Sequence, residues 1–459
     1  MEDSSDEKKN IEISVLKGDK LFNVNTPFII NLFAPESKEQ EEEKRVNADL
    51  ICVIDISGSM QGEKIELVKE SLKILVEMME PKDRIALVLF DQQSKLLYDL
   101  NFLDEKNKKQ VINLINQIEA RGGTNIASGL QVAVDILKKE KKNAKEDEGR
   151  SSSIILLSDG CDNYSDDVVL AEKLKSLTKG EGLSFTLNTF GYGYDHDPKI
   201  MNKLANLRDG SFFLVEDYNK VGEYFVSVLG GCISMISKNA EVEVKLLNEK
   251  CKIKKIFGAN NFYSHELTDL LFKNKMLQFI TGKEYTFVLE IFVDESAVKP
   301  EDILLEVNFI YDEILSKNQN KLNAKYKYEL KDLKFAKAND EYVRSQTYDV
   351  LDRVLKLNED NKSEEAKKLL NEMKVWIEKN YKDEYKSYLE DIKKSEQIFE
   401  FGFNARRGVT TTISMVSQNM SKRMGSNNMY SNSVQMRLQD NYRNSYTQKI
   451  MSNKNNNFV

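Results

Sequence analysis

The stretch "ICVIDISGSMQGEKIELVKE" at residues 51–70 combines three signals that together decide the fold. It opens with the apolar run of a buried strand and ends with apolar residues at helical spacing. Between the two, Asp55, Ser57 and Ser59 place three oxygen-bearing side chains at alternate positions. A buried strand that passes through a short polar turn into a helix is typical of an open, mostly parallel sheet.

The same alternation continues over the next part of the chain. Strand patterns recur at residues 84–90, 153–159, 184–190 and 210–215, with helical patterns between them. We therefore predict an α/β fold for residues 46–239: a doubly wound, mostly parallel sheet with helices on both faces.

The flanking segments carry different patterns. Residues 11–35 read as two strands, residues 240–335 as an all-β segment, and residues 340–403 as a helical hairpin. Two strands alone are marginally stable in water, so we expect residues 11–35 to join the later β segment in an accessory β-sandwich. The predicted apolar stripes of the hairpin comprise Val350, Leu351, Val354, Leu357, Leu369, Leu370, Met373 and Trp376.

The two termini have little apolar character. We predict that residues 1–10 are disordered and that residues 404–459 form a mostly disordered basic tail. The tail carries eight Lys or Arg and one acidic residue, Asp440, whereas the whole chain has a net charge of −7. Such a tail is either an interaction arm or a solvated end.

Composition excludes several classes of protein. With 41% hydrophobic and 31% charged residues, the chain is typical of a globular protein with a sizeable core. Its four cysteines are dispersed without CxxC spacing, which indicates neither a zinc site nor a disulfide framework. We find neither a signal-peptide pattern nor an apolar run long enough for a transmembrane segment, and we expect a cytoplasmic protein.

Polar side chains gather at the ends of the predicted strands. In a doubly wound sheet, the loops beyond the carboxyl ends of the strands form the ligand crevice. Thr124 follows the glycines of "GGT", and Asp159 ends the strand in "LLSDG". Together with the first loop they give five candidate metal ligands: Asp55, Ser57, Ser59, Thr124 and Asp159. Hard oxygen ligands favour Mg²⁺, and Mn²⁺ or Ca²⁺ would also fit.

The candidate ligands and the nearby motifs also have simpler interpretations. Ser57 or Ser59 could cap the following helix, but that leaves Thr124 and Asp159 unexplained. Cys161 and Asp162, just after the third loop, are interpreted as ordinary loop residues. Neither "GYGYDHD" nor "GSMQGEK" has the spacing of a nucleotide-binding loop.

The combination of "DISGSM", "GGT" and "SDG" in this order resembles the metal-ion-dependent adhesion site of von Willebrand factor A domains. The resemblance implies a von Willebrand factor A fold and a metal held by the same five residues. The stretches "PKDRIALVLF", "GGTNIASGL" and "NTFGYGYDHDPKIMNKLA" look like the intracellular subgroup that includes plant wavy-growth RING-type ubiquitin ligases. This chain has two His and four dispersed Cys, too few and too scattered for a RING.

These observations favour binding over catalysis. Two carboxylates neutralise the ion but leave it a position for a third, so we expect a protein partner that presents an Asp or Glu. A hydrolase with Ser57 as nucleophile would need a paired histidine, for which His196 is the candidate on that face. We therefore predict a non-enzymatic adaptor or scaffold without a small-molecule or nucleic-acid ligand. The alternative is a ubiquitin-pathway component or a hydrolase that uses the same face.

Overall fold

The computed structural model describes most of the chain. The described residues are 11–36, 45–143, 149–160, 162–193, 197–215, 218–258, 264–328, 335–380, 382–421 and 436–440. The predicted disorder of residues 1–10, the loop residues Cys161 and His196, and most of the basic tail lie outside these ranges.

Strands and helices follow one another in three blocks. Within the described residues, the strands are β1 (Glu12–Lys17), β2 (Thr26–Phe33), β3 (Asn47–Asp55), β4 (Arg84–Phe90), β5 (Ser94–Phe102), β6 (Arg150–Ser158), β7 (Thr186–Tyr192), β8 (Phe212–Val215), β9 (Met235–Leu246), β10 (Lys252–Ile256), β11 (Ser264–Leu267), β12 (Leu271–Met276), β13 (Phe279–Ile280), β14 (Glu284–Phe292), β15 (Ile303–Glu313) and β16 (Gln319–Lys327). The helices are α1 (Glu63–Met78), α2 (Glu105–Asn116), α3 (Ile126–Asn143), α4 (Asp167–Thr178), α5 (Pro198–Asn206), α6 (Tyr218–Ile233), α7 (Phe335–Glu359), α8 (Ser363–Lys379), α9 (Lys386–Ser395) and α10 (Phe403–Ser421).

The central sheet has the strand order β5-β4-β3-β6-β7-β8. All neighbours run parallel except the edge strand β5, which returns antiparallel to β4. Side chains of the middle strand β3 alternate between two apolar layers. Leu50 and Ile54 belong to the layer of α1 and α6, whereas Ile51 and Val53 belong to the layer of α3. Burial on both faces explains why this strand is a continuous apolar run.

Two antiparallel sheets form the accessory β-sandwich. Their strand orders are β1-β2-β14-β10 and β11-β12-β9-β15-β16, and β13 pairs with β9. The strand β2 pairs with β14 along its whole length. Phe28 and Phe287 of one sheet and Val242 and Phe309 of the other are buried in the same core cluster. The N-terminal strands therefore complete a sheet whose other strands follow the central domain in the chain.

The helices α7 and α8 pack against each other and bury Leu351, Val354, Leu370 and Met373. The first part of α7 also lies on the sandwich sheet that contains β1 and β2. The fold class predicted from the sequence is thus confirmed: a doubly wound, mostly parallel sheet, an accessory β-sandwich and C-terminal helices. None of the described helices is both long and apolar enough to cross a membrane.

One C-terminal helix differs from the sequence prediction. We predict a mostly disordered tail over residues 404–459, yet α10 spans Phe403–Ser421 and packs against α7, α9, α5 and β8. Ile413 and Val416 are buried in the same core cluster as α7 and α8, and Val409 packs against that cluster. A Cβ at Gly408 would lie 2.5 Å from the backbone nitrogen of Ile398, and the Thr412 hydroxyl lies 2.9 Å from the Ser395 hydroxyl. The helix therefore combines a short apolar stripe with close backbone approach, whereas the prediction depended on the polar composition of the whole segment.

Candidate metal site at the carboxyl ends of the central strands

The first loop folds tightly around the carboxylate that ends β3. The backbone N–H of Ser57 donates to Oδ1 of Asp55 at 2.8 Å, and the hydroxyls of Ser57 and Ser59 lie 3.0 Å apart. Asp55 and Ser57 are buried, whereas Ser59 is exposed. The side-chain oxygens of Asp55, Ser57 and Ser59 thus form a short row from the sheet edge to the surface.

The second loop is held directly against the first. The N–H of Gly58 donates to the carbonyl of Gly122 at 2.9 Å. Gly122 has a φ of +79°, a left-handed conformation that glycine adopts without strain. Thr124 follows two residues later and is buried. This contact brings the hydroxyl residue of the second loop to the edge where β3 ends.

The third loop is joined to the second by the side chains that follow Asp159. The side-chain oxygen of Asn163 accepts from the N–H of Thr124 at 2.7 Å, and the N–H of Asn163 donates to the carbonyl of Thr124 at 3.0 Å. Oδ2 of Asp162 accepts from the N–H of Ile126 at 2.7 Å. Asp162 is therefore a loop-joining residue, rather than the ordinary loop residue that we expect from sequence. The three loops carrying the candidate ligands lie together at one edge of the sheet.

Two buried carboxylates meet at this edge. Burial raises the pKa of Asp55 to about 6, against the lowering effect of hydrogen bonds from Ser158 and Ser57, and the negative charge of Asp159 raises it further. Oδ1 of Asp159 is buried and has no hydrogen-bond partner among the described residues. A buried carboxylate oxygen is costly when neither a hydrogen-bond donor nor a cation satisfies it.

The oxygen of Asp159 that lacks a partner among the described residues is in a position to bind a metal ion. Carboxylate and hydroxyl oxygens are hard ligands of the kind Mg²⁺ binds, so the donor set fits. In the described part of the chain, no cluster of three or more His, Cys, Asp or Glu could hold a metal. A site at this edge therefore depends on the hydroxyls of Ser57, Ser59 and Thr124 as well as on the two carboxylates.

The sequence analysis does not identify two residues that contact the candidate ligands, Ser158 and Lys64. The Ser158 hydroxyl donates to Oδ2 of Asp55 at 2.5 Å and accepts from the N–H of Gly160 at 2.8 Å. Nζ of Lys64 donates to Oδ2 of Asp159 at 3.1 Å. The signal for Ser158 is its position next to Asp159 at a strand end. The signal for Lys64 is its place in the first turn of the helix after the first loop.

Solved structures share the architecture of nearly the whole chain. A von Willebrand factor type A protein from Catenulispora acidiphila superposes with a TM-score of 0.63 at 14% identity, over 90% of this chain and 97% of that one. The ArnB paralog VWA2 from Sulfolobus acidocaldarius gives a TM-score of 0.53 at 17% identity, over 89% and 99% of the two chains. At these identities the likeness shows the fold.

The sequence relatives have higher identity to this chain than these structures, but they match less of it. An uncharacterized protein of Synechocystis is 24% identical over 324 residues, which are 68% of this chain and 73% of the relative. The inter-alpha-trypsin inhibitor heavy chain H1 of Bos taurus is 28% identical over 40% of this chain, and the match spans 20% of the relative's length. The finer resemblance to a plant ligase subgroup stays a prediction. The family model of the von Willebrand factor type A domain matches residues 49–226. This segment, which contains the three loops that carry the candidate ligands, is a von Willebrand factor type A domain.

Proposed function

We propose that the chain is a protein-interaction module that binds a carboxylate of a protein partner through a divalent metal ion. The ion, Mg²⁺ or in its place Mn²⁺ or Ca²⁺, would be held by Asp55, Ser57, Ser59, Thr124 and Asp159. The observation that carries the proposal is the buried Oδ1 of Asp159, which has no hydrogen-bond partner among the described residues and lies at the same sheet edge as the first loop. A metal cation is one partner that would satisfy such an oxygen.

The donor set also explains why a partner's carboxylate would bind. Mg²⁺ prefers six oxygen ligands and retains water where the protein supplies fewer. Asp55 and Asp159 balance the charge of the ion, and the other three residues contribute neutral hydroxyls. Because Ser59 is exposed, the row of ligands opens to solvent on that side. An incoming Asp or Glu could replace a water molecule there.

Binding without catalysis is the form of the proposal that the contacts support best. The Ser57 hydroxyl lies beside the Ser59 hydroxyl, and Oδ2 of Asp159 accepts from Lys64. A hydrolytic nucleophile would instead need an adjacent general base. The proposed role is that of a cytoplasmic adaptor or scaffold. A hydrolase or a ubiquitin-pathway component is the alternative outcome of the experiment below.

The test is metal-dependent capture of partners by the full chain. Capture should disappear in EDTA and return with magnesium, while generic ester and phosphate substrates show no turnover. Ser59→Ala removes one exposed ligand hydroxyl and should abolish capture without unfolding the protein. Ser176→Ala is the matched control, because Ser176 is also exposed and its hydroxyl bonds to the backbone of α4. Capture that survives EDTA, or metal-dependent turnover, would overturn the proposal.

A further inference from the structure

The side chain of Lys64 reaches the metal loops from outside them. Lys64 is the second residue of α1, and its Nζ lies 3.1 Å from Oδ2 of Asp159. The Lys64 side chain is 20% exposed, whereas that of Asp159 is 1% exposed. A cation of the chain itself therefore sits on one of the two buried carboxylates, at the mouth of the site.

The two carboxylates are compensated in different ways. Asp55 accepts hydrogen bonds from uncharged donors, the N–H of Ser57 and the hydroxyl of Ser158. Asp159 is paired with the charge of Lys64 through one oxygen, while its other oxygen has no partner among the described residues. The ammonium thus offsets one negative charge and leaves an oxygen available. A divalent ion would satisfy both carboxylates at once.

We propose that Lys64 is a built-in counter-ion of this site, which neutralises Asp159 in the metal-free protein and opposes the metal ion electrostatically. This inference rests on the proposed function, since it requires that the metal binds at Asp159. The ammonium lowers the cost of burying Asp159 without metal, because an unpaired buried carboxylate is strongly destabilising. The same positive charge repels an incoming cation. Lys64 therefore stabilises the metal-free fold and weakens metal binding.

A purely positioning role would have the opposite signature. If Lys64 served to orient Asp159 as a ligand, its removal would weaken metal binding, as the loss of an outer-shell partner usually does. A counter-ion role predicts tighter binding after removal. The sign of the change in magnesium affinity therefore separates the two roles.

The experiment compares the full chain with its Lys64→Met and Lys64→Arg variants. Calorimetric titration gives the magnesium affinity, and thermal denaturation in EDTA and in saturating magnesium gives the stability of both states. Lys64→Met should melt at a lower temperature in EDTA and bind magnesium roughly tenfold more tightly, since a unit charge a few Å from a divalent ion has an effect of this order even in water. The stability loss should disappear in saturating magnesium. Lys64→Arg keeps the charge and should resemble the wild type.

Lys73→Met is the matched control. Lys73 lies on the same helix, pairs with Glu70 at 2.6 Å and is 24% exposed, close to the exposure of Lys64. Its replacement should leave magnesium affinity unchanged. Unchanged or weaker magnesium binding by Lys64→Met would overturn the inference, as would a failure of this variant to fold in magnesium. If the wild type itself binds no magnesium, the proposed function has failed, which is a distinct result.

Discussion

Replacing Ser158 by Ala removes the hydroxyl that links two parts of the candidate metal site. This hydroxyl donates to Oδ2 of Asp55 at 2.5 Å and accepts from the N–H of Gly160 at 2.8 Å, and Ser158 is fully buried. Asp55 is a proposed ligand, and Gly160 follows the proposed ligand Asp159. Ser158→Ala should therefore affect metal binding although Ser158 is not itself a proposed ligand.

The magnitude follows from these two hydrogen bonds. A buried polar group that loses its partner costs about 1–3 kcal/mol, so the free energy of unfolding should fall by about that amount. Loss of an outer-shell partner lowers metal affinity on the order of 10–100-fold. The Ser158 hydrogen bond also lowers the pKa of Asp55, which stays raised overall because of burial. The variant should therefore bind magnesium more weakly and require a higher pH to do so.

Ser151→Ala separates the effect on the metal from a general loss of stability. Ser151 lies on the same strand, is fully buried, and its hydroxyl donates to the carbonyl of Cys232 at 2.9 Å. It is seven residues from Ser158, or roughly 23 Å along the strand. Denaturant unfolding and magnesium titration should show that both variants lose stability and that only Ser158→Ala loses magnesium affinity. Equal magnesium affinities for the two variants would refute the reasoning.

Three further predictions concern the helices and the pH response. Leu370→Asp places a charge at a buried position of α8 and should lower the melting temperature; an unchanged temperature would contradict the packing. Gly408→Ala should lower the free energy of unfolding by about 1–3 kcal/mol, because its Cβ would lie 2.6 Å from the carbonyl carbon of Gln397; an increase would refute this contact. Magnesium affinity should fall as the pH drops below about 6, because protonation of Asp55 competes with the ion; a pH-independent affinity between pH 5 and about 7 would exclude Asp55 as a ligand.

The sequence predicts the fold class because its signals are local. The apolar run of β3 and the helical spacing of α1 can each be recognised within one short window. The helical spacing of the hairpin is equally local, and Leu370, which it predicts to face the core, is buried. The helix α10 is different, since its apolar stripe is short and Thr412 and Gly408 add contacts through a hydroxyl hydrogen bond and close backbone approach. Those contacts depend on which helices become neighbours in three dimensions, and no periodicity in the sequence records them.

The candidate site also contains residues that the sequence predicts and residues that it does not. Asp55 and Asp159 stand out because each ends a predicted strand, and parallel strands place their carboxyl ends at one edge. Thr124 stands out through the glycines of "GGT" before it. Lys64 and Ser158 carry only weak positional signals, because a lysine in a helix and a serine in a strand are common. Their roles depend on side-chain directions within a folded loop cluster. Sequence thus predicts the proposed ligands, while the residues around them require coordinates.

The most direct test of the proposed metal site is the response of thermal stability to magnesium in the wild type and in Asp159→Ala. An ion that binds only the folded state stabilises it by about 2.7 kcal/mol at 100 times its dissociation constant. The wild type should therefore melt at a higher temperature in magnesium than in EDTA, and Asp159→Ala should fold but show no such shift. A wild type that does not respond, or a variant that responds equally, would contradict metal binding at this site.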